Sequence, residues 1–251
     1  ATAFTTTYGT ASTAQSFSIS GSGLSASLTT TAPTGFAVSR DNSTFQDTVQ
    51  FTQSLGSACG TLYIRLKAGA SVTGSYNSQN IVLSSTGASS VNIVTASTGN
   101  AVTAKALTIT GISAVNKVYD GTASATLNGS AAYSGLVAGE TYTVTGTASA
   151  SFTGGAVGNG KAVSVTGYTA PSSNYSLTQP TLSANITEKA LTITGISAVN
   201  KVYDGTTSAS LTGTAAYFSQ NLTVVGTASF GLLNVINQQS LNVGDKYIVI
   251  S

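Results

Sequence analysis

The 251-residue chain contains no histidine, no tryptophan and no methionine, and a single cysteine. Without histidine there is no Ser-His-Asp triad, no imidazole ligand for a metal and no general base that titrates near neutrality. One thiol, Cys59, closes no intrachain disulfide and builds no cysteine metal site. It is expected as a small residue packed at or near a core. Charge is almost as scarce, at 6% of residues against about 25% in an average domain. Nine Lys and Arg stand against seven Asp and Glu, a net charge of +2. That surplus forms no clustered basic face for nucleic acid and no polybasic segment for anionic lipid. No apolar run approaches the roughly 20 residues of a membrane-spanning helix, so no membrane span is expected in this segment. No signal peptide is recognised, and the opening on Ala1 is read as a processed form or a piece of a longer chain.

The acids are Asp41, Asp47, Asp120, Glu140, Glu188, Asp204 and Asp245, scattered along the chain. They form no DxDxDG calcium loop and no local pair of the kind a glycosidase sets across a cleft. Gly154–Lys161, GGAVGNGK, has the glycines of a phosphate loop. It lacks Ser or Thr after the lysine and leads into a strand, where a phosphate loop leads into a helix. The chain is therefore read as a non-enzyme with no catalytic residues, no cofactor and no metal.

What is present is β patterning almost throughout. In TLYIRLKA (Thr61–Ala68), Leu62, Ile64 and Leu66 fall on one face and Tyr63, Arg65 and Lys67 on the other. Phe17 and Ile19, Val49 and Phe51, Leu107 and Ile109, and Val163 and Val165 repeat the period of two. Thr occupies the alternate positions, where its branched carbon fits a pleated, solvated face. Gly, Asn, Asp and Ser cluster between the runs as turn residues. With 41% hydrophobic residues the chain has enough apolar surface to offset chain entropy, which a disordered chain lacks. Short strands at this spacing predict an all-β architecture of antiparallel Ig-like β-sandwiches.

One stretch occurs twice. KALTITGISAVNKVYDGT spans Lys105–Thr122 and returns unchanged at Lys189–Thr206, 84 residues on. Similarity continues in ASATLNGSAAY and TSASLTGTAAY, then in TVTGTAS and TVVGTAS, then in VGNGKAVSVT and VGDKYIVIS. The period is too long for a solenoid unit and fits a small sandwich domain. The predicted domains are 1–104, an Ig-like sandwich; 105–188, the first repeat; and 189–251, the second. Glu188-Lys189 joins the repeats with almost no linker, which predicts an elongated, stiff array. The second repeat contains no counterpart of 167–188, whose TLSANIT reads as a closing strand. It is expected to be incomplete, through truncation or because a neighbouring subunit donates the strand. Phe4 and Tyr8 of ATAFTTTYG are the candidate donor residues. Head-to-tail donation would give a homopolymer; otherwise the partners are neighbouring repeats of a longer chain.

The shared KVYDGT reads as strand into turn. Lys117, Val118, Tyr119, Asp120 and Gly121 carry it in the first copy, and Lys201, Val202, Tyr203, Asp204 and Gly205 in the second. Asp-Gly supplies the turn, and Tyr can lay its ring on the core with its hydroxyl at the rim. The KALTITG opening, the KVYDGT core and the later Val-Gly-x-Gly-Lys-x-Val strand resemble the YDG domain, over roughly Lys105–Ser251. The second copy departs at Gly244-Asp245-Lys246. The resemblance implies tandem repeats in a bacterial secreted or cell-surface protein, with an adhesin-like or scaffold role, and no catalytic residues. Thr31–Ser39 and Thr61–Ala68 give the first region the look of an Ig-like companion domain. The alternative reading is a binding module in 1–104, with Tyr8, Phe36, Tyr63 and Tyr76 exposed to stack on a carbohydrate or another surface.

Overall fold

The computed structural model describes residues 1–204, 207–217, 239–242 and 247–250. Every regular element among them is a β-strand. The chain divides into two units. One comprises Ala1–Lys117 with Gly121–Ile186, and the other Val118–Asp120 with Thr187–Ser251.

The first unit opens with β1 (Thr5–Thr7), β2 (Gln15–Gly21), β3 (Leu28–Thr31), β4 (Phe36–Ser39), β5 (Thr48–Phe51), β6 (Ala58–Leu66), β7 (Asn80–Ser84), β8 (Val91–Val94) and β9 (Ala101–Thr103). These make sheets ordered β2–β6–β4 and β5–β3–β7–β8. Strict alternation on β6 buries Leu62, Ile64 and Leu66 and turns Tyr63, Arg65 and Lys67 outward. Leu28, Val49, Phe51, Ile81 and Leu83 of the other sheet belong to the same hydrophobic cluster. Two sheets closing over one apolar layer is the sandwich solution for half-buried strands. Cys59 is exposed, contrary to expectation. On β6 it shares the parity of Thr61 and Tyr63, opposite to that of Ala58 and Leu62, so the pleat points it at solvent.

A second correction concerns the first residues. β1 pairs in parallel with β9, Thr5 opposite Ala101 and Thr7 opposite Thr103. The Phe4 N–H donates to Asn100 Oδ1 at 2.8 Å. Phe4 and Tyr8 are both buried in the cluster, and the Phe4 ring meets Phe36 edge-on with centroids 5.4 Å apart. The segment expected as a donor for a neighbour is seated in its own unit, because β9 offers it a complete hydrogen-bonding partner within the chain.

The chain continues through β10 (Lys105–Ala114), β11 (Lys117–Val118), β12 (Leu127–Ser134), β13 (Thr145–Phe152), β14 (Gly158–Thr169), β15 (Tyr175–Thr178) and β16 (Thr181–Thr187), all in the first unit except Val118 and Thr187. The sheets here are β12–β10–β15 and β11–β16–β14–β13. Leu107 and Ile109 are buried on the first; Phe152, Val163, Val165, Ala184 and Ile186 on the second. The expectation of wholly antiparallel sheets is not met. β10 and β15 run parallel, Lys105 opposite Tyr175, which the long excursion between them permits. The predicted boundary at 104 falls between β9 and β10, but no break in packing accompanies it. Leu107 and Tyr175 lie in one hydrophobic cluster with Phe4 and Tyr8.

In the second unit, β17 (Ile193–Ala198) pairs with β18 (Leu211–Tyr217), and β19 (Gln239–Asn242) with β20 (Tyr247–Ile250), both antiparallel. The first hairpin reproduces β10–β12 in register: Ile193 faces Tyr217 as Ile109 faces Tyr133. Gly205 and the Gly244-Asp245-Lys246 departure lie outside the described residues.

Candidate functional site

Lys117 of the first KVYDGT copy extends back along its own loop. Its Nζ donates to the Thr122 carbonyl at 2.8 Å and to Thr122 Oγ1 at 2.9 Å. The ammonium also stands 5.8 Å from the Phe152 ring centroid. Gly121 takes the positive φ of 81° that ends the loop. The Tyr119 N–H donates to the Thr187 carbonyl at 2.8 Å, and its side chain is half-buried. In the second copy Lys201 Nζ pairs with Asp204 Oδ1 at 2.7 Å, in an exposed position. These contacts close and orient a turn. The described residues of the motif gather no group of carboxylates or other ligands around a shared point.

A polar cluster that the sequence did not single out lies within the first unit. Tyr8 Oη donates to Glu140 Oε1 at 2.5 Å, and Tyr175 Oη donates to Glu140 Oε2. The Val137 N–H donates to Tyr175 Oη at 2.9 Å. The Tyr8 and Tyr175 rings meet edge-on at 5.4 Å, and Tyr142 meets Tyr175 at 6.3 Å. The hydrogen bond to Glu140, helped by burial, raises the Tyr8 phenol above its ordinary value. Burial first, then the bond to Glu140, pushes Tyr175 up to about 12. Both hydroxyls therefore keep their protons at neutral pH and hold one carboxylate between them. Beside this cluster, Asn174 Oδ1 accepts from Val72 N–H at 2.9 Å and from Ser71 Oγ at 3.2 Å. The first region is thus tied to the first repeat by hydrogen bonds as well as by the shared core. Glu140 was one scattered acid in the sequence. No local motif marked it, because its tyrosine partners lie 132 and 35 residues away.

The four aromatics expected to be exposed are not available as a platform. Phe36 and Tyr76 are fully packed, Tyr8 belongs to the cluster just described, and Tyr63 is half-buried. All four residues of β4 are buried, Phe36 among them, and Tyr76 packs edge-on against it with centroids 5.9 Å apart. Burial raises the Tyr76 phenol, which donates to the Ser71 carbonyl at 2.6 Å. A recess of about 710 Å³ does open elsewhere on the first sandwich, among Thr29, Arg40, Asp41, Gln46 and Gln50. Asp41 Oδ1 accepts from Thr44 N–H at 2.8 Å, Ser43 N–H at 2.9 Å and Ser39 Oγ at 2.7 Å. Those donors hold its carboxyl well below the usual range. The recess is polar and carries no aromatic face. Among the described residues no three His, Cys, Asp or Glu side chains converge as a metal site, and no helix is long and apolar enough to cross a membrane.

Compared with known proteins, the chain matches a family model described as the YDG domain at residues 103–182 and again at 187–249. The two matched segments are the two copies of the repeat. No curated protein and no solved structure matches the chain.

Proposed function

Because the chain belongs to the YDG domain family, we propose that it is a non-catalytic structural part of an extracellular, cell-surface protein, acting as an adhesin stalk or as the subunit of a fibre. The observation that carries this reading is the joint between the first sandwich and the first repeat. Tyr8, Glu140 and Tyr175 form a half-buried clamp, and Phe4, Leu107 and Tyr175 share one core. A mobile tether between independent domains needs neither feature, and a load-bearing joint is stiffened by both. Low charge and Thr-faced strands suit close packing with further copies, by head-to-tail association through strand addition or in a longer array.

Small-angle scattering and electron microscopy of the purified chain test this role. Residues 1–186 behaving as one rigid body, with Glu140→Ala broadening the particle dimensions, supports it. Independent tumbling of 1–104 and 105–186 in the unaltered chain overturns it.

A second reading assigns binding of a hydroxyl-rich ligand such as a carbohydrate to the recess around Arg40 and Asp41, because the carboxylate there is held rigidly by three donors. A glycan array with the intact chain and its Asp41→Ala variant decides it. Binding that the variant loses supports the recess, and no binding across varied glycans removes it.

A further inference from the structure

The two copies of KALTITGISAVNKVYDGT are a control for each other, because the same residues stand in different surroundings. In the first copy Lys105–Thr108 pairs in parallel with Tyr175–Thr178. The residues around Lys117 lie beside β16 in the sheet. Two hydrogen bonds flank that contact: Asn185 N–H to Asn116 Oδ1 at 2.7 Å, and Tyr119 N–H to the Thr187 carbonyl at 2.8 Å. Leu107 is 1% exposed.

In the second copy the hairpin itself is intact, β17 on β18 in the same register. Lys189–Thr192, the counterpart of the first half of β10, is not in a strand. Leu191 is 38% exposed, Val202 90% and Tyr203 93%; in the first copy Leu107 is buried and Tyr119 half-buried, while Val118 remains 55% exposed. Among the described residues, no strand pairs with Lys189–Thr192 or with Val202–Tyr203. Two adjacent apolar positions of a strand-forming sequence, bare here and flanked by strand pairing in the first copy, form an open edge of known complement.

We propose that the second copy binds an extended segment of the Asn174–Thr187 kind, NYSLTQPTLSANIT. Its first strand would lie parallel to Lys189–Thr192, the Gln-Pro corner would turn it, and its second strand would run beside Val202 and shield Tyr203. The partner is defined by chemistry: Tyr and Leu at alternate positions of the first strand, then Leu-x-Ala-x-Ile on the second, as in Tyr175, Leu177, Leu182, Ala184 and Ile186. Main-chain hydrogen bonds supply affinity and the alternate side chains supply phase. The proposal deepens the strand-addition part of the structural reading and rests on it, while the stiffness of residues 1–186 stands apart from it.

The test adds a synthetic peptide of residues 174–187 to the intact chain. Binding is followed by calorimetry, and amide exchange is read on proteolytic fragments that run past residue 206, where Thr207 replaces the Ala123 of the first copy. Saturable binding at one site per chain is expected, with exchange slowed about tenfold or more at 189–192 and 201–204 and unchanged at 105–120. Tyr203→Ser, at an exposed position, should weaken binding about tenfold, whereas Val202→Ser should change it little, because its counterpart Val118 stays 55% exposed beside β16. A peptide with Leu182, Ala184 and Ile186 moved one position out of phase should not bind. No binding at millimolar peptide, binding indifferent to phase, or protection appearing away from 189–204 overturns the proposal. None of these outcomes bears on the particle dimensions that test the stalk role.

Discussion

Gly111 and Gly129 approach each other closely across β10 and β12, Gly111 within a register shift and Gly129 opposite Ile112, both at positive φ, 79° and 98°. A Cβ placed on Gly129 would stand 2.2 Å from the Gly111 carbonyl oxygen, and one on Gly111 would stand 2.3 Å from the Ser130 carbonyl oxygen. The register of the two strands shifts between Thr110 and Ile112 at this point. The same pairing returns at Gly195 and Gly213, φ 84° and 99°, with the shift between Thr194 and Ile196. A paired glycine bulge is thus part of the repeat, and it bends each hairpin where no side chain fits.

Gly129→Ala should therefore destabilise the first unit by about 2–4 kcal/mol, from left-handed backbone strain together with the carbonyl clash. Denaturant unfolding of the variant, compared with Ser130→Ala beside it, measures this. A cost below that of the neighbouring control contradicts the bulge argument.

Leu107 and Leu191 occupy the same place in identical sequence, at 1% and 38% exposure. Leu107→Ala should cost about 2–5 kcal/mol through lost burial and a residual cavity. Leu191→Ala should cost less than about 1 kcal/mol. Paired unfolding curves check the asymmetry, and equal losses would show that the two copies are packed alike.

Tyr175 has its folded value pushed up to about 12 from an ordinary 10.0. A raised value means that the folded state prefers the neutral phenol. Its stabilising share is complete below about pH 10 and is lost as pH rises toward about 12. The unaltered chain should thus lose more stability across that window than Tyr175→Phe does. Stability measured at intervals from pH 8 to 12 decides it, and parallel curves would remove Tyr175 from the account.

Asp41 shows the opposite sign. Its folded value is lowered by donors from Thr44, Ser43 and Ser39, so its contribution is present above the ordinary value of 3.8 and fades as pH falls below it. Asp41→Asn should flatten the acid limb of the stability curve. Calorimetric melting temperatures from pH 6 to 2 provide the comparison, and faster amide exchange at Ser43 and Thr44 is expected once the donors to Asp41 are lost.

Much of the architecture was readable before any coordinates. The period of two on Leu62, Ile64 and Leu66 is a local property, and a pleated strand must put those three on one side. The exact recurrence of Lys105–Thr122 made a second, similar hairpin inevitable, down to its glycines. Side-chain destinations across distance were not readable in this way. The spacing of Phe4 and Tyr8 reads as a donor pattern for alternate pockets of a neighbour, because the sequence shows no nearby partner for either ring. The acceptor of Tyr8, Glu140, comes from the repeat far along the chain. Phe36 and Tyr76 read as exposed in the sequence, but each packs against the other. Parallel pairing of β1 with β9 and of β10 with β15 also escaped notice, since alternation records faces and is silent about direction.

From the amino acids alone follow the strands, the turns, the doubled module and the poverty of ionisable chemistry, all of which depend on residue type and spacing over a few positions. Only the assembled chain decided which tyrosines hold Glu140 and where the first sandwich meets the first repeat. It also decided that one Leu-Thr-Ile-Thr run is buried while its duplicate is partly bare. The physical reason is that burial belongs to the partner as much as to the residue. An identical segment meets β15 and β16 in one place, and in the other no described strand at the corresponding positions, Lys189–Thr192 and Val202–Tyr203.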